Sequence, residues 1–338
     1  MQTRMDELPA RERASGGVGE PTGRCLTRLT PVLVVFAVAI FALLPAVYAV
    51  PQNGDESQYA WTAAYYGGKL GRLDFDRTSG EPSWLYPGWD PLSIWALTQP
   101  MGTRLTYAVP LLLGGLEAPS RPYDYSRMDE PQPEASVPAA TLPLLRYVSI
   151  LCAALGLAFF TRRWGWWAVP ACLGVLALPG VPEELAPARA EGQLLLGLGL
   201  CALAYRTRWF PVACAVAATF KLTALGLWPL LLIPASSGRW RRLPALGPVL
   251  VALGVWWLLT PTAWFLPPGT ELVLMLWDRA VEFGFQSADH PKALGLYLPA
   301  RYLLPLGYAA ALAWVWAAPR LYALAAARLR RVARQASA

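Results

Sequence analysis

The sequence predicts an all-α protein, a polytopic bundle of transmembrane helices. Of the 338 residues, 55% are hydrophobic and only 15% are charged, whereas an average soluble domain has about 25% charged residues. The apolar residues form long runs, which is typical of membrane-spanning helices. Short clusters of basic residues separate these runs, at Arg162-Arg163, Arg206/Arg208, Arg239/Arg241/Arg242 and Arg328 to Arg334. This is the positive-inside pattern, so the net charge of +7 indicates membrane topology and argues against a nucleic-acid partner.

The order of runs and basic clusters predicts the topology. The candidate spans are 29–50, 142–160, 166–181, 192–205, 209–235, 244–260 and 292–318. They define a transmembrane domain over 29–319, between a disordered cytoplasmic tail at 1–28 and a basic cytoplasmic tail at 320–338. We expect the protein to lie in the cytoplasmic (inner) membrane with both termini on the cytoplasmic side. Every basic cluster is then cytoplasmic, provided that the segment 91–116 does not cross.

Two segments depart from simple spans. Pro91, Pro100, Gly102, Arg104 and Pro110 interrupt the apolar segment 91–116, so we expect it to lie along the membrane in a long first outer loop. The segment 209–235 has arginines on both sides and Lys221 near its middle. It is predicted to be a hairpin or a broken helix. The resulting outer loops are 51–141, 182–191 and 261–291.

The stretch PQNGDESQYAWTAAYY, 51–66, follows the first apolar run and begins with the acidic pair Asp55-Glu56. If 55–68 is a helix, Asp55, Tyr59 and Thr62 share one face, and the helix lies in the membrane interface. Carboxylates beside hydrocarbon are costly and favour a functional interpretation. The alternative is an acidic first turn that stabilises the helix through its dipole.

Lys221 and the outer-loop acids suggest a site. The predicted topology places Asp55, Glu56, Glu183, Glu184, Glu191, Asp278, Glu282, Asp289 and His290 on the outer face. Lys221, within an apolar segment, is expected to approach that face from below. The five cysteines and the single histidine show no spacing typical of a disulfide framework or a zinc site.

Four stretches, taken in order, resemble a known superfamily. GDESQYAWTAAYY (54–66) resembles an acidic motif that begins a first outer loop, and TQPMGTRLTYA (98–108) resembles a following proline-glycine-cation element. RYVSILCAALGLAFFTRRWGWW (146–167) resembles a helix that ends in a basic turn. ARAEGQLLLGLGLCALAYRTRW (188–209) and FKLTALGLWPLLLIP (220–234) resemble a second acidic loop and a broken helix. Together they resemble the GT-C integral-membrane glycosyltransferases, nearest to the protein O-mannosyltransferase and lipid A aminoarabinose transferase branch.

The resemblance implies a polyprenyl-phosphate-linked sugar as donor and a glycan, lipid or protein hydroxyl as acceptor. It implies that Asp55 is the general base of an inverting transfer and that Glu56 orients the base or the acceptor. The substrate-binding residues that it implies are Arg104, Lys221, Glu191, Tyr59 and Gln99. Arg104 and Lys221 would stabilise the leaving phosphate. A divalent cation is possible in the superfamily, with Asp55 and Glu191 as its ligands here.

Two other hypotheses remain open at this point. A lipid-linked-sugar carrier or transporter would also use discontinuous helices and a charged residue at membrane depth. An inactive family member acting as a scaffold would fit Gln99, where many members of the superfamily carry His or Lys, and Met101, where a second Pro is usual. For single residues, Arg104 could extend to a headgroup phosphate, and Glu191 could form an ordinary loop ion pair with Arg189.

Overall fold

The computed structural model describes residues 22–71, 101–121, 123, 130–232, 247–260, 317, 320–324 and 327. Within these residues every regular element is helical and no strand occurs, which confirms the predicted all-α class. Gln99, the predicted loop 261–291, most of the candidate span 292–318 and most of both predicted tails lie outside the described residues.

The described α-helices are, in chain order, α1 (Thr22–Leu43), α2 (Ala46–Ala49), α3 (Gly54–Gly71), α4 (Met101–Gly114), α5 (Leu142–Trp164), α6 (Ala168–Leu176), α7 (Val181–Leu185), α8 (Glu191–Ala204), α9 (Phe210–Phe220) and α10 (Gly247–Leu259). Short 3-10 segments occur at Pro133–Ala135 and Gly165–Trp167, and a longer one at Leu222–Leu232.

Two helical stretches, Leu29–Ala49 and Leu142–Leu176, are long and apolar enough to cross a membrane. The helices α8, α9 and α10 are apolar but shorter. Along α1, Val35 and Ala39 are fully buried, whereas Leu33 and Phe41 are 64% and 74% exposed. A helix with an apolar face toward the core and another apolar face outward is suited to contact lipid, so these helices favour membrane association.

The helices α5 and α8 pack with their backbones in contact. A Cβ atom built on Gly156 of α5 would lie 2.2 Å from the carbonyl oxygen of Leu195, and one on Gly199 of α8 would lie 2.2 Å from that of Gly156. Only glycine permits such an approach, which is typical of small-residue contacts between membrane helices. The two glycines therefore determine how closely α5 and α8 approach each other.

Two helix breaks, at Gly165 and at Lys221, each have a local cause in the sequence. The chain turns after α5 at Gly165, whose φ of +62° favours glycine, and α6 folds back so that Thr161 contacts Cys172. The helix α9 ends at Phe220, and Lys221 is extended. The following 3-10 segment returns along α9, where the indole of Trp228 donates to the carbonyl oxygen of Cys214 at 3.4 Å. The predicted break at Lys221 is thus confirmed.

The helices α3 and α4 pack against each other beside this bundle. The predicted helix 55–68 is present, as α3. The described helix α4 covers 14 residues of the predicted interfacial segment 91–116. Residues 91–100 lie outside the described part of the chain, and the prediction that the segment does not cross stays a prediction. Ala60, Tyr107 and Leu145 form a small core where α3 and α4 meet α5, and the candidate site lies around this core.

Candidate functional site

A capping box fixes the beginning of α3. The side-chain oxygen Oδ1 of Asn53 accepts a hydrogen bond from the backbone N–H of Glu56 at 3.1 Å. In return, the backbone N–H of Asn53 donates to Oε2 of Glu56 at 3.3 Å. These reciprocal bonds satisfy N–H groups that a helix leaves without partners at its N-terminus. Asp55, between the two, is therefore held in the first turn, where the helix dipole favours a carboxylate.

Arg146 of α5 binds Glu56 in a buried, bidentate ion pair. Nε donates to Oε1 at 2.8 Å and Nη2 donates to Oε2 at 2.7 Å. The side chains are 2% and 0% exposed. Arg146 also donates through Nη1 to the carbonyl oxygens of Val47 and Val50, at 2.6 and 2.7 Å. One guanidinium thus joins the end of α2, the connection 50–53 and the first turn of α3 to the long helix α5.

All the accepting capacity of the Glu56 carboxylate is in use. Besides Arg146 and the Asn53 N–H, it accepts the backbone N–H of Ala188 at Oε1, at 2.8 Å. Four donors surround a group that has about four lone-pair sites. Glu56 was predicted to orient either the base or the acceptor. Its placement favours orientation of Asp55, because no oxygen remains for an acceptor hydroxyl.

Asp55 occupies a different environment from its neighbour. Its side chain is 44% exposed, and Oδ2 lies 3.6 Å from Nε of Arg189. A carboxylate that is open to solvent on one side can meet a ligand from that side. The predicted base is therefore partly solvent-exposed and lies beside the guanidinium of Arg189.

Arg189, just before α8, is a central residue that sequence reasoning did not select. Its Nε donates to Oδ1 of Asn53 at 3.4 Å, and its Nη1 contacts Oε2 of Glu184 at 3.5 Å. Burial alone lowers the pKa of Arg189, but the carboxylates of Asp55, Glu191 and Glu184 outweigh it and hold the pKa above its ordinary value. Arg189 thus stays charged although its side chain is only 16% exposed.

Tyr107 of α4 holds the backbone of Arg189. Its hydroxyl donates to the carbonyl oxygen of Arg189 at 2.5 Å. Burial raises the pKa of Tyr107 well above its ordinary value, so the hydroxyl keeps its proton. The ring packs edge-to-face on Tyr59 of α3, with centroids 6.3 Å apart. Tyr59, a predicted substrate-binding residue, is half-buried and one helical turn from Asp55.

Arg104 lies in the first turn of α4 and is only 1% exposed. Next to it, the Thr103 hydroxyl donates to the carbonyl oxygen of Phe220 at 2.7 Å. This contact joins the beginning of α4 to the end of α9. The alternative that Arg104 extends to the headgroup layer disagrees with its burial.

Lys221 and Glu191 form a further ion pair of the region. Nζ of Lys221 donates to Oε1 of Glu191, with the side chains 33% and 16% exposed. Glu191 begins α8 and Lys221 follows α9, so the pair joins two helix ends. Oε2 of Glu191 is buried and makes no hydrogen bond within the described part of the chain. The ordinary loop ion pair between Glu191 and Arg189 is not formed, although Arg189 lies within its electrostatic reach.

A divalent cation has no preformed cluster in the described residues, where no three His, Cys, Asp or Glu side chains come together. Asp55 contacts Arg189, and Glu191 contacts Lys221. Each predicted metal ligand therefore has a cationic side chain beside it. The metal stays a prediction.

The structure gathers Asp55, Glu56, Tyr59 and Glu191 with Lys221 and Arg104 around the junction of α3, α4, α8 and α9, whereas Gln99 lies outside the described residues. Arg146 and Arg189 were missed. Arg146 carried a usable signal, because an arginine inside an apolar helix is expensive and needs a partner. The only sequence signal for Arg189 was its place in the predicted acidic outer loop 182–191.

Comparison with protein-family models, with curated proteins and with solved structures finds no match for this chain.

Proposed function

We propose that the protein is a membrane glycosyltransferase that moves a sugar from a polyprenyl-phosphate donor to an acceptor hydroxyl on the outer face of the cytoplasmic membrane. The observation that carries this proposal is the contrast between two adjacent carboxylates. Glu56 is fully buried and occupied by four donors, whereas Asp55 is 44% exposed beside a cation. This contrast is suited to a pair in which Glu56 positions the first turn of α3 and Asp55 takes part in the reaction.

Asp55 acts as the general base. It accepts the proton of the acceptor hydroxyl while the hydroxyl oxygen forms a bond to the anomeric carbon of the sugar. The bond from that carbon to the phosphate oxygen breaks, and polyprenyl phosphate leaves with the electron pair. Attack on the face opposite the leaving group inverts the anomeric centre, as in other single displacements at this carbon.

Lys221 stabilises the leaving phosphate. The Lys221 side chain is one-third exposed, so a ligand can approach it, and the residue follows the end of α9. Fixed cations in a poorly solvated site stabilise developing negative charge far better than water does. Tyr59 and Glu191 complete the predicted contacts to the donor, Tyr59 through its ring and Glu191 through Oε2, the oxygen that Lys221 does not bind.

The surrounding helices belong to a polytopic bundle. Leu29–Ala49 and Leu142–Leu176 provide two spans, and α8, α9 and α10 complete the bundle as parts of further spans. The predicted outer loops then share one compartment with the donor's sugar.

The test is transfer from radiolabelled polyprenyl-phosphate hexoses in membranes that carry the wild type or Asp55→Asn. We expect labelled product with the wild type only, at equal expression and insertion of both. Glu183→Gln is the matched control, because Glu183 is exposed and the substitution removes the same charge from the same predicted face. This variant should keep full activity. Full transfer by Asp55→Asn would contradict the assignment of the base.

A lipid-linked-sugar carrier is the second candidate, favoured by the helix break at Lys221. Purified protein in liposomes separates the two. An enzyme releases or transfers the sugar from the donor, whereas a carrier moves the intact donor between leaflets.

A further inference from the structure

The guanidinium of Arg189 has donors to spare at the edge of the candidate site. Of its five N–H groups, the hydrogen bonds to Asn53 and Glu184 use Nε and one group of Nη1. Within the described residues, Nη2 makes no hydrogen bond, and the side chain is 16% exposed. A planar fork with free donors at a solvent-accessible edge is suited to an anion with several oxygens.

The contacts that Arg189 already makes are long. They measure 3.4 Å to Asn53, 3.5 Å to Glu184 and 3.6 Å to Asp55. A charge-assisted hydrogen bond between a guanidinium and an anionic oxygen is typically about 2.7–2.9 Å. An incoming anion can therefore form shorter bonds than the present ones and displace the nearby carboxylates from the guanidinium.

The backbone of Arg189, in contrast, is fixed. Tyr107 donates to its carbonyl oxygen at 2.5 Å, and the preceding Ala188 N–H donates to the buried carboxylate of Glu56 at 2.8 Å. The guanidinium can thus exchange partners while the backbone of Arg189 stays fixed near Asp55.

We propose that Arg189 binds the phosphate of the donor lipid and, by doing so, loosens its ion pair with Asp55. This inference rests on the proposed function, and it adds a phosphate-binding residue and an order of events. Before the donor binds, Oδ2 of Asp55 faces the guanidinium of Arg189 at 3.6 Å. After the phosphate recruits the guanidinium, that oxygen can accept a hydrogen bond from the acceptor hydroxyl instead. The acceptor is then engaged only when the donor is present, so the site avoids activating a hydroxyl without a sugar to transfer.

The test measures binding of undecaprenyl phosphate to purified protein in phosphatidylcholine nanodiscs, with undecaprenol as the ligand that lacks only the phosphate. We expect Arg189→Gln to weaken undecaprenyl phosphate binding at least ~10-fold and to leave undecaprenol unchanged. Arg189→Lys should recover part of the loss, because it keeps the charge but not the fork. Arg163→Gln, which removes an exposed arginine at the end of α5, is the matched control and should have no effect.

Substitutions of the two carboxylates beside Arg189 give a more specific test, because they should change the binding affinity in the opposite direction. Asp55→Asn and Glu184→Gln remove competitors for the guanidinium, so each should tighten undecaprenyl phosphate binding about two- to fivefold. A residue that merely supports the fold would weaken binding in all variants, and thermal unfolding of each variant identifies that case. Equal affinity of the wild type and a folded Arg189→Gln, or weaker binding by Asp55→Asn, would overturn this proposal and leave the proposed function standing.

Failure of the wild type to prefer undecaprenyl phosphate over undecaprenol would overturn both proposals. Phosphatidylglycerol added at the same mole fraction distinguishes the source of the phosphate. If it displaces undecaprenyl phosphate completely, Arg189 binds phospholipid headgroups in general, and the assignment to the donor is wrong.

Discussion

The guanidinium of Arg146 donates to both carboxylate oxygens of Glu56, although 90 positions separate the two residues in the sequence. The pair is buried, so each charge depends on the other for compensation. It also determines where the first turn of α3 lies relative to α5. The position of Asp55 therefore depends on a contact between two other residues.

Glu56→Gln should lower the free energy of unfolding by on the order of 3 kcal/mol, because it leaves the Arg146 charge buried without its counter-charge. Thermal unfolding of the protein in detergent measures the loss. The double variant Glu56→Leu with Arg146→Met should be more stable than Glu56→Gln, since it leaves no buried charge. Glu183→Gln, at an exposed position, is the control, and equal midpoints for it and Glu56→Gln would contradict the prediction.

Tyr107→Phe should cost about 1–3 kcal/mol, because the carbonyl oxygen of Arg189 loses its buried donor. The ring and its packing on Tyr59 remain, so the hydroxyl alone is tested. Tyr48→Phe is the control, since the Tyr48 hydroxyl bonds to Tyr147 at an exposed position where water can replace it. The two unfolding midpoints are compared under identical conditions, and a larger loss for Tyr48→Phe would refute this account.

Gly156→Ala should destabilise the protein by about 2 kcal/mol or more, because the new methyl group would meet the carbonyl oxygen of Leu195 and push α5 away from α8. Gly174→Ala is the matched control, since nothing lies within 4 Å of a Cβ atom there. It should be neutral or slightly stabilising, as alanine favours a helix over glycine. Similar midpoints for both variants would mean that α5 and α8 do not pack this closely.

Lys221→Met should be more harmful than Glu191→Gln, although both break the same ion pair. Glu191 is the more buried partner, at 16% against 33%, so its charge is the costlier one to leave alone. We expect losses of about 1–2 kcal/mol for Lys221→Met and clearly less for Glu191→Gln. The two single variants and their combination form a double-mutant cycle on the unfolding midpoint. The opposite order of the two losses would show that Lys221 is the less solvated partner.

The sequence predicted those features whose causes are local. Apolar runs and basic clusters predict the helical class, the long helices α1 and α5, and the break at Lys221, where a charged residue interrupts an apolar segment. Of the acidic pair, Glu56 belongs to the capping box, as the helix-dipole interpretation leads one to expect, whereas Asp55 is 44% exposed and its functional interpretation stays a prediction. Two adjacent residues of the same chemistry have different environments, and composition cannot separate them.

The remaining features depend on contacts between distant segments. The partner of Arg146 lies 90 positions away, and Arg189 contacts Asn53 from 136 positions away. Hydrophobic periodicity records which face a helix buries, but not which buried charge meets which. The close approach of α5 to α8 could not be predicted either. A glycine in an apolar helix gives the same sequence pattern whether or not another backbone contacts it.

The capping box at Asn53 affects how fast this asparagine deamidates. Asn53 precedes Gly54, and an asparagine before glycine readily loses its side-chain amide when the glycine nitrogen attacks the side-chain carbonyl carbon. In the folded chain, that side chain accepts bonds from Glu56 and Arg189, and the ring of Tyr123 lies against Gly54. These contacts restrict the rotation of the Asn53 side chain that the attack requires. Deamidation at this position should therefore proceed mainly through locally unfolded molecules, so that its slow accumulation records how often the N-terminal end of α3 unfolds.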